Sequence, residues 1–196
     1  MTNCLVLITG IGEAAYGFKS LRESVMWKHI EARYSDVVEI RYQPIMDKYA
    51  VVGKSLLDPL RLMFTPQGWE AEEHIRKRLH QIRGTYNEVD VLTHSLASWM
   101  IYKMDVRFEN MYVVASPIGW CTAVSRWAVR VNIGTPKVSC KKLIYLYSKK
   151  DPVSMFPTRI GKYLVGDKNH TFETGTSHNL DEYLDYMSHL GYDVLI

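Results

Sequence analysis

Short apolar runs alternate along this chain with longer segments of helical period, and few architectures accept that rhythm. Leu5-Val6-Leu7-Ile8 is wholly apolar and ends at Thr9-Gly10, the pattern of a strand buried on both faces of a parallel sheet. Phe18 to Tyr34 carries apolar residues at helical spacing, and Val37 to Tyr42 is short and β-branched, so a helix and a second strand are predicted. Ala71, Ile75, Leu79 and Ile82 give one apolar face to a helix over Trp69 to Arg83. Glu70, Glu72 and Glu73 open it and Lys77, Arg78 and Arg83 follow, in the sense that offsets the helix macrodipole, with Gly84 as the expected C′ residue. Val89 to Thr93 reads as a strand and Ser95 to Met104 as an apolar helix. Met111 to Ala115 and Leu143 to Ser148 read as strands, and another begins near His170. Leu180, Tyr183, Leu184, Met187 and Leu190 share the face of a last helix, stopped by Gly191. Such alternation predicts an α/β protein with three layers, α/β/α, around a mostly parallel central sheet of about 5–6 strands.

The 196 residues are expected to form a single domain, 1–196. Two stretches break the rhythm, 43–68 and 117–142, and loops that long usually act as lids or contain helices of their own. Leu56, Leu57, Leu60, Leu62, Met63 and Phe64 crowd the first. The second holds Trp120 and Trp127 with Arg126, Arg130, Lys137, Lys141 and Lys142 and no acid. That composition fits a solvated face equally with peripheral contact to an anionic membrane surface. A net charge of +3 is too small to point to nucleic acid, so no nucleic-acid partner is expected. No apolar stretch approaches the roughly 20 residues of a membrane span. Cys4, Cys121 and Cys140 are odd in number and lack zinc-ligand spacing. They are expected as free thiols in a reducing, cytoplasmic compartment, with no metal. The start, MTNCLVLITG, has no basic region and only a short apolar run, so no signal peptide is expected.

The segment Asp90 to Ser98 carries the most chemical information. A strand runs into Ser95 and a helix starts immediately after it, which lifts the hydroxyl clear of the sheet and aims helix N-terminal amides at it. The plain alternative is a serine that caps a helix. Here the sequence resembles the α/β-hydrolase family. Thr93-His94-Ser95-Leu96-Ala97 is similar to the family's G-x-S-x-G elbow, with Thr93 and Ala97 in the two glycine positions. The resemblance implies an acid and then a base further along the chain. Asp151, just past the strand Leu143 to Ser148, matches the acid position, and His178, just before the last helix, matches the base. Asp167 competes with Asp151, and His170 and His189 compete with His178. Ser116-Pro117 ends another strand and leaves the family's other acid position empty.

What the resemblance implies is a compact serine esterase or lipase-like hydrolase, lacking the strand pair that usually precedes the first strand seen here. It would cleave a carboxylic ester or thioester, small or lipid-like, through an acyl-enzyme on Ser95 and would need no cofactor. The N–H groups of Ile11 and Leu96 would form the oxyanion hole. Two other readings stay open. Gly10-Ile11-Gly12-Glu13-Ala14-Ala15 fits the G-x-G-x-x-A dinucleotide fingerprint after a strand. With Arg41 near the end of the second strand and Glu39 within it, this would suit an NADP-dependent Rossmann-type reductase. Its Tyr145 and Lys149, however, fall on a strand, where they would not share a face as they do on a helix. The third reading is a non-catalytic binding protein that keeps the hydrolase shell.

Overall fold

The computed structural model describes residues 2–10, 18–42, 66–117, 138–152, 154 and 165–190. In chain order the elements are β1 (Asn3–Ile8), α1 (Lys19–Glu23), α2 (Val25–Arg33), β2 (Asp36–Ile40), α3 (Pro66–Thr85) and β3 (Glu88–His94). Then follow α4 (Leu96–Tyr102), β4 (Arg107–Val114), β5 (Ser139–Tyr147), β6 (Val165–Glu173) and α5 (Leu180–His189). The six strands form one sheet in the order β2-β1-β3-β4-β5-β6, with every neighbouring pair parallel.

Strand alternation sorts the side chains into two cores. Cys4, Val6 and Ile8 of β1 face one core with Ala71, Ile75, Leu79 and Ile82 of α3 and the apolar residues of α4. Leu5 and Leu7 face the other, with Leu21 of α1, Met26 and Ile30 of α2, and Leu180, Tyr183, Leu184 and Met187 of α5. Burial on both faces is why the central strands are continuous apolar runs rather than alternating ones. Each fully buried Leu or Ile contributes about 1.5–3 kcal/mol, so these two faces dominate the stability. Glu72 bonds Arg76 at 2.9 Å and Lys103 at 2.5 Å, tying α3 to the end of α4.

Several boundaries differ from the sequence expectation, each for a local reason. The helix expected over 18–34 is two helices, because Ser24 is extended (φ −80°, ψ 158°). Its hydroxyl donates to the Leu21 carbonyl at 2.7 Å, which gives the backbone a partner outside the helix. Helix α3 starts at Pro66, a residue suited to a first turn, and runs through Gly84 to Thr85. Gly84 is therefore helical and not a C′ residue. Residues 66–68 of the stretch 43–68 belong to α3, and 43–65 lies outside the described residues. Strand β5 begins at Ser139, so the stretch 117–142 ends on the sheet, and 118–137 lies outside the described residues. Strand β6 is polar, with Lys168 to Thr171 exposed, as an edge strand without an apolar face can be. Cys4 and Cys140 are buried, and burial pushes the Cys4 thiol up to about 11. Among the described residues no helix is long and apolar enough to cross a membrane.

Candidate active site

Because all six strands are parallel, the segments that leave them gather at one edge of the sheet. The chain passes from β1 outward to β2 and then returns to the other side of β1 as β3. The crevice between the loops after β1 and β3 is the switch point at which open α/β sheets bind ligands. Gly10 and Ser95 stand there.

The turn at Ser95 is sharp. Ser95 has φ 53° and ψ −127°, in a region that costs a non-glycine residue on the order of 1–3 kcal/mol unless its surroundings hold it. Three contacts do so. The Ser95 N–H donates to the Val114 carbonyl at 2.9 Å. The Ser95 carbonyl accepts from the Ser98 N–H at 3.2 Å and from the Ser98 hydroxyl at 2.6 Å. Ser98 Oγ also lies 2.5 Å from Ser116 Oγ; since Ser98 spends its proton on the carbonyl, Ser116 is the donor. Thr93 and Ala97, in the positions where the resemblance has glycine, are both fully buried. Thr93 turns its hydroxyl toward the Tyr112 carbonyl, at a long 3.4 Å, and so fits without opening the turn. The space on the other side is taken by the backbone of Gly10: a Cβ there would lie 2.6 Å from Ser95 Cβ and 3.2 Å from Ser95 Oγ. Only glycine permits that approach.

Ser95 makes no side-chain cap bond to helix α4, which sets aside the reading of it as a helix cap. Its Oγ instead lies 3.0 Å from His178 Nε2, and His178 Nδ1 lies 2.8 Å from Asp151 Oδ2. The three residues singled out from the sequence are thus one continuous chain of hydrogen bonds. With Asp151 ionised, Nδ1 carries the imidazole proton and Nε2 is left to accept from the Ser95 hydroxyl. Asp151 is wholly buried, whereas the His178 side chain is 34% exposed, so His178 faces the crevice and Asp151 stands behind it.

The His178 loop is held at both ends. The Thr174 N–H donates to the Tyr147 carbonyl at 2.8 Å, and Gly175 takes φ 72°. The Glu182 carboxylate accepts from the Ser177 N–H and hydroxyl, each at 2.7 Å, and these donors hold its carboxyl below the ordinary value. Asn179 caps α5 by accepting from the Asp181 N–H at 3.0 Å. The competing residues stand elsewhere. His170 is exposed on β6, and His189 bonds the Asp185 carbonyl of its own helix at 2.6 Å. Asp167 lies within β6.

Leu96 is the first residue of α4 and is buried; helix geometry leaves its N–H without an intrahelical acceptor. Ile11 lies outside the described residues. Of three neighbours of the chain of bonds, Ser154 and Tyr183 were not singled out from the sequence. Ser154 Oγ donates to Asp151 Oδ2 at 2.8 Å, and Tyr183 OH lies 3.2 Å from the same oxygen. The His94 ring tilts against that of His178, with centroids 5.2 Å apart. A hydroxyl three residues after an acid was the available signal for Ser154. Tyr183 read only as part of an apolar helix face. Among the described residues no cluster of His, Cys, Asp or Glu could hold a metal ion.

No protein-family model matches this sequence, and no curated protein matches it. Solved structures do match. One comes from the work on LipS and LipT, two metagenome-derived lipolytic enzymes; the TM-score is 0.56 at 12% identity, over 97% of this chain and 92% of that one. Another is esterase PE8, with a TM-score of 0.51 at 9% identity, over 96% of this chain and 92% of that one. The fold is α/β-hydrolase-like.

Proposed function

We propose that this α/β-hydrolase-like chain is a serine hydrolase that cleaves a carboxylic ester or thioester, with Ser95 as nucleophile, His178 as base and Asp151 as its orienting acid. One observation carries the reading: a serine held at positive φ directs its Oγ to an imidazole whose other nitrogen meets a buried carboxylate. A serine hydroxyl is a poor nucleophile until a base removes its proton. His178 Nε2 takes that proton as Oγ attacks the acyl carbon, and the imidazolium that results is stabilised by Asp151. As the tetrahedral intermediate collapses, the bond to the leaving oxygen or sulfur breaks and His178 returns the proton to it. Water, deprotonated by His178, then attacks the acyl-enzyme and releases the acid and Ser95.

The Leu96 N–H and, by the family resemblance, the Ile11 N–H would hold the oxyanion. Donors of this kind are typically worth about 3–4 kcal/mol of barrier each. The solved lipolytic and esterase structures support the same reaction class. The apolar stretches 43–68 and 117–142 favour an apolar, lipid-like acyl group, with the basic residues of 117–142 available to an anionic membrane surface. The buried thiol of Cys4 fits a reducing compartment such as the cytoplasm.

The test is labelling with a fluorophosphonate followed by peptide mapping of the adduct. An adduct on Ser95, lost in Ser95→Ala, is expected; labelling at another residue, or none, would overturn the assignment.

The reductase reading is weaker on three counts. Gly10 is accounted for by its contact with Ser95. Tyr145 is buried in the core while Lys149 is exposed and paired with Glu173 at 2.8 Å, so the two do not act together. Glu39 is engaged by Arg41 at 3.0 Å. Saturable binding of NADPH would revive it. A non-catalytic shell would show ester turnover no higher than that of Ser95→Ala.

A further inference from the structure

The mechanism above uses Asp151 only through His178, yet two more hydroxyls converge on the same carboxylate oxygen. Ser154 Oγ donates to Asp151 Oδ2 at 2.8 Å, and Tyr183 OH lies 3.2 Å from Oδ2 and 3.2 Å from Ser154 Oγ. Tyr183 and Asp151 are both fully buried, and Ser154 is nearly so. Proton bookkeeping orders the contacts. Ser154 has one proton and spends it on the carboxylate. The Tyr183 proton therefore reaches the carboxylate directly, or through Ser154 Oγ. Tyr183 OH also lies close to the side chain of Thr176, two residues before His178. Thr176 in turn lies 2.6 Å from Thr174, whose N–H and hydroxyl are both anchored on the Tyr147 carbonyl. The phenol thus joins the loop that carries the acid to the loop that carries the base, from a helix that packs beneath both.

We propose that Tyr183, with Ser154, is a positioning residue: its hydroxyl fixes Asp151 Oδ2 against His178 Nδ1 and tempers the negative charge the imidazole meets. The proposal rests on the Ser95–His178–Asp151 reading. A donor aimed at a carboxylate stabilises its ionised form and lowers the potential it exerts on its neighbour. Without that donor the carboxylate attracts the imidazolium more strongly, so His178 gives up its proton at higher pH. Among the described residues the groups facing His178 are Asp151, Ser95 and His94, and none is changed by substitution at 183 or 154.

The experiment compares Tyr183→Phe and Ser154→Ala with the parent, using a short-chain nitrophenyl ester for turnover and a fluorophosphonate for labelling. Each variant should lower kcat by about fivefold, the worth of one lost hydrogen bond, and leave KM unchanged. The acid limb of the kcat/KM profile should move to higher pH, and Ser95 labelling should slow in parallel. If both variants keep the parental kcat and acid limb, or lose activity only in proportion to lost folded protein, Tyr183 merely fills the core and the proposal falls. Should Tyr183→Phe fail to fold, Ser154→Ala decides alone, since it removes the shorter contact to the same oxygen. Ser95→Ala separates the two layers: full turnover in that variant would sink the hydrolase reading itself, whatever the other variants do.

Discussion

Asp90 and Asp151 are both buried carboxylates attached to one sheet, and among the described residues each collects three donors. Asp90, paired across from Leu5 within the sheet, accepts from Tyr34 OH at 2.5 Å and from the Asn110 N–H and side-chain amide, each at 2.9 Å. Burial pushes the Tyr34 phenol far above its ordinary value, with Tyr112 and Asp90 adding to the effect. Every donor around Asp90 therefore stays neutral across the physiological range and none is placed to exchange a proton. Around Asp151 two donors are hydroxyls of the same inert kind. The third is an imidazole, 34% exposed at the edge where the strands end. Satisfying a buried charge is common to the two sites; the difference is one titratable donor that reaches solvent. Tyr34 fastens the end of α2 to the sheet, beside an apolar cavity lined by Leu5, Met26, Ile30, Leu92, Tyr112 and Met187. The first site closes a core, and the second opens onto a crevice.

The contrast breaks most readily at Asp151. Asp151→Asn should cut kcat by about 10⁴-fold by stranding the imidazole in the wrong tautomer, and should lower the thermal midpoint as well because Ser154 and Tyr183 lose a buried carboxylate partner. Steady-state turnover and a melting curve on one sample check both halves. Asp90→Asn should move stability without moving turnover. It is expected to lower stability by about 2–3 kcal/mol through lost charge-assisted bonds while kcat stays within about twofold. Denaturant unfolding reads the first quantity, and a large loss of turnover in folded protein would erase the distinction. Tyr34→Phe should act on Asp90 alone and cost about 1–2 kcal/mol, again without an effect on kcat.

The smallest effect is one the two sites share. Burial pushes Tyr112, near Asp90, and Tyr183, beside Asp151, up to about 12 from 10.0. A raised phenol pKa favours the protonated form in the fold. The stability it gives is full below pH 10 and is lost as pH rises toward 12, because the unfolded chain ionises first. Each phenol should add to the alkaline destabilisation over that range. Stability measured between those limits should fall less steeply in Tyr112→Phe and Tyr183→Phe, and an unchanged slope would mean that these rings already meet water.

The two acids also mark how far the sequence could be read. Asp151 was legible because it follows an apolar strand and precedes His178 in a recognisable order. Asp90 lies in the most informative segment of the chain, yet its role depends on Tyr34 and Asn110, which reach it only through the fold. The central strands were legible because burial on both faces forces apolar runs. β6 was read only from His170, since an edge strand can be polar, and β5 began earlier than expected because Ser139 to Lys142 alternate in burial on the sheet. The break at Ser24 was settled by the bond of its hydroxyl to the Leu21 carbonyl, which apolar spacing does not encode. At the candidate site Ser95, Asp151 and His178 were legible and the residues that support them were not. Ser98, Ser116, Ser154 and Tyr183 are ordinary core or helix residues until the chain is folded around them.

The contact between Gly10 and Ser95 bears on how such a site can be altered. The first turn of the chain and the turn at position 95 share a volume smaller than a methyl group, so neither can be exchanged by itself. A loop grafted after β1 that brings any side chain at position 10 would collide with the serine, however well suited it was to a new substrate. Libraries that diversify the two turns separately would discard combinations that function only together. In this chain the loop after β1 and the turn after β3 are inherited as a pair.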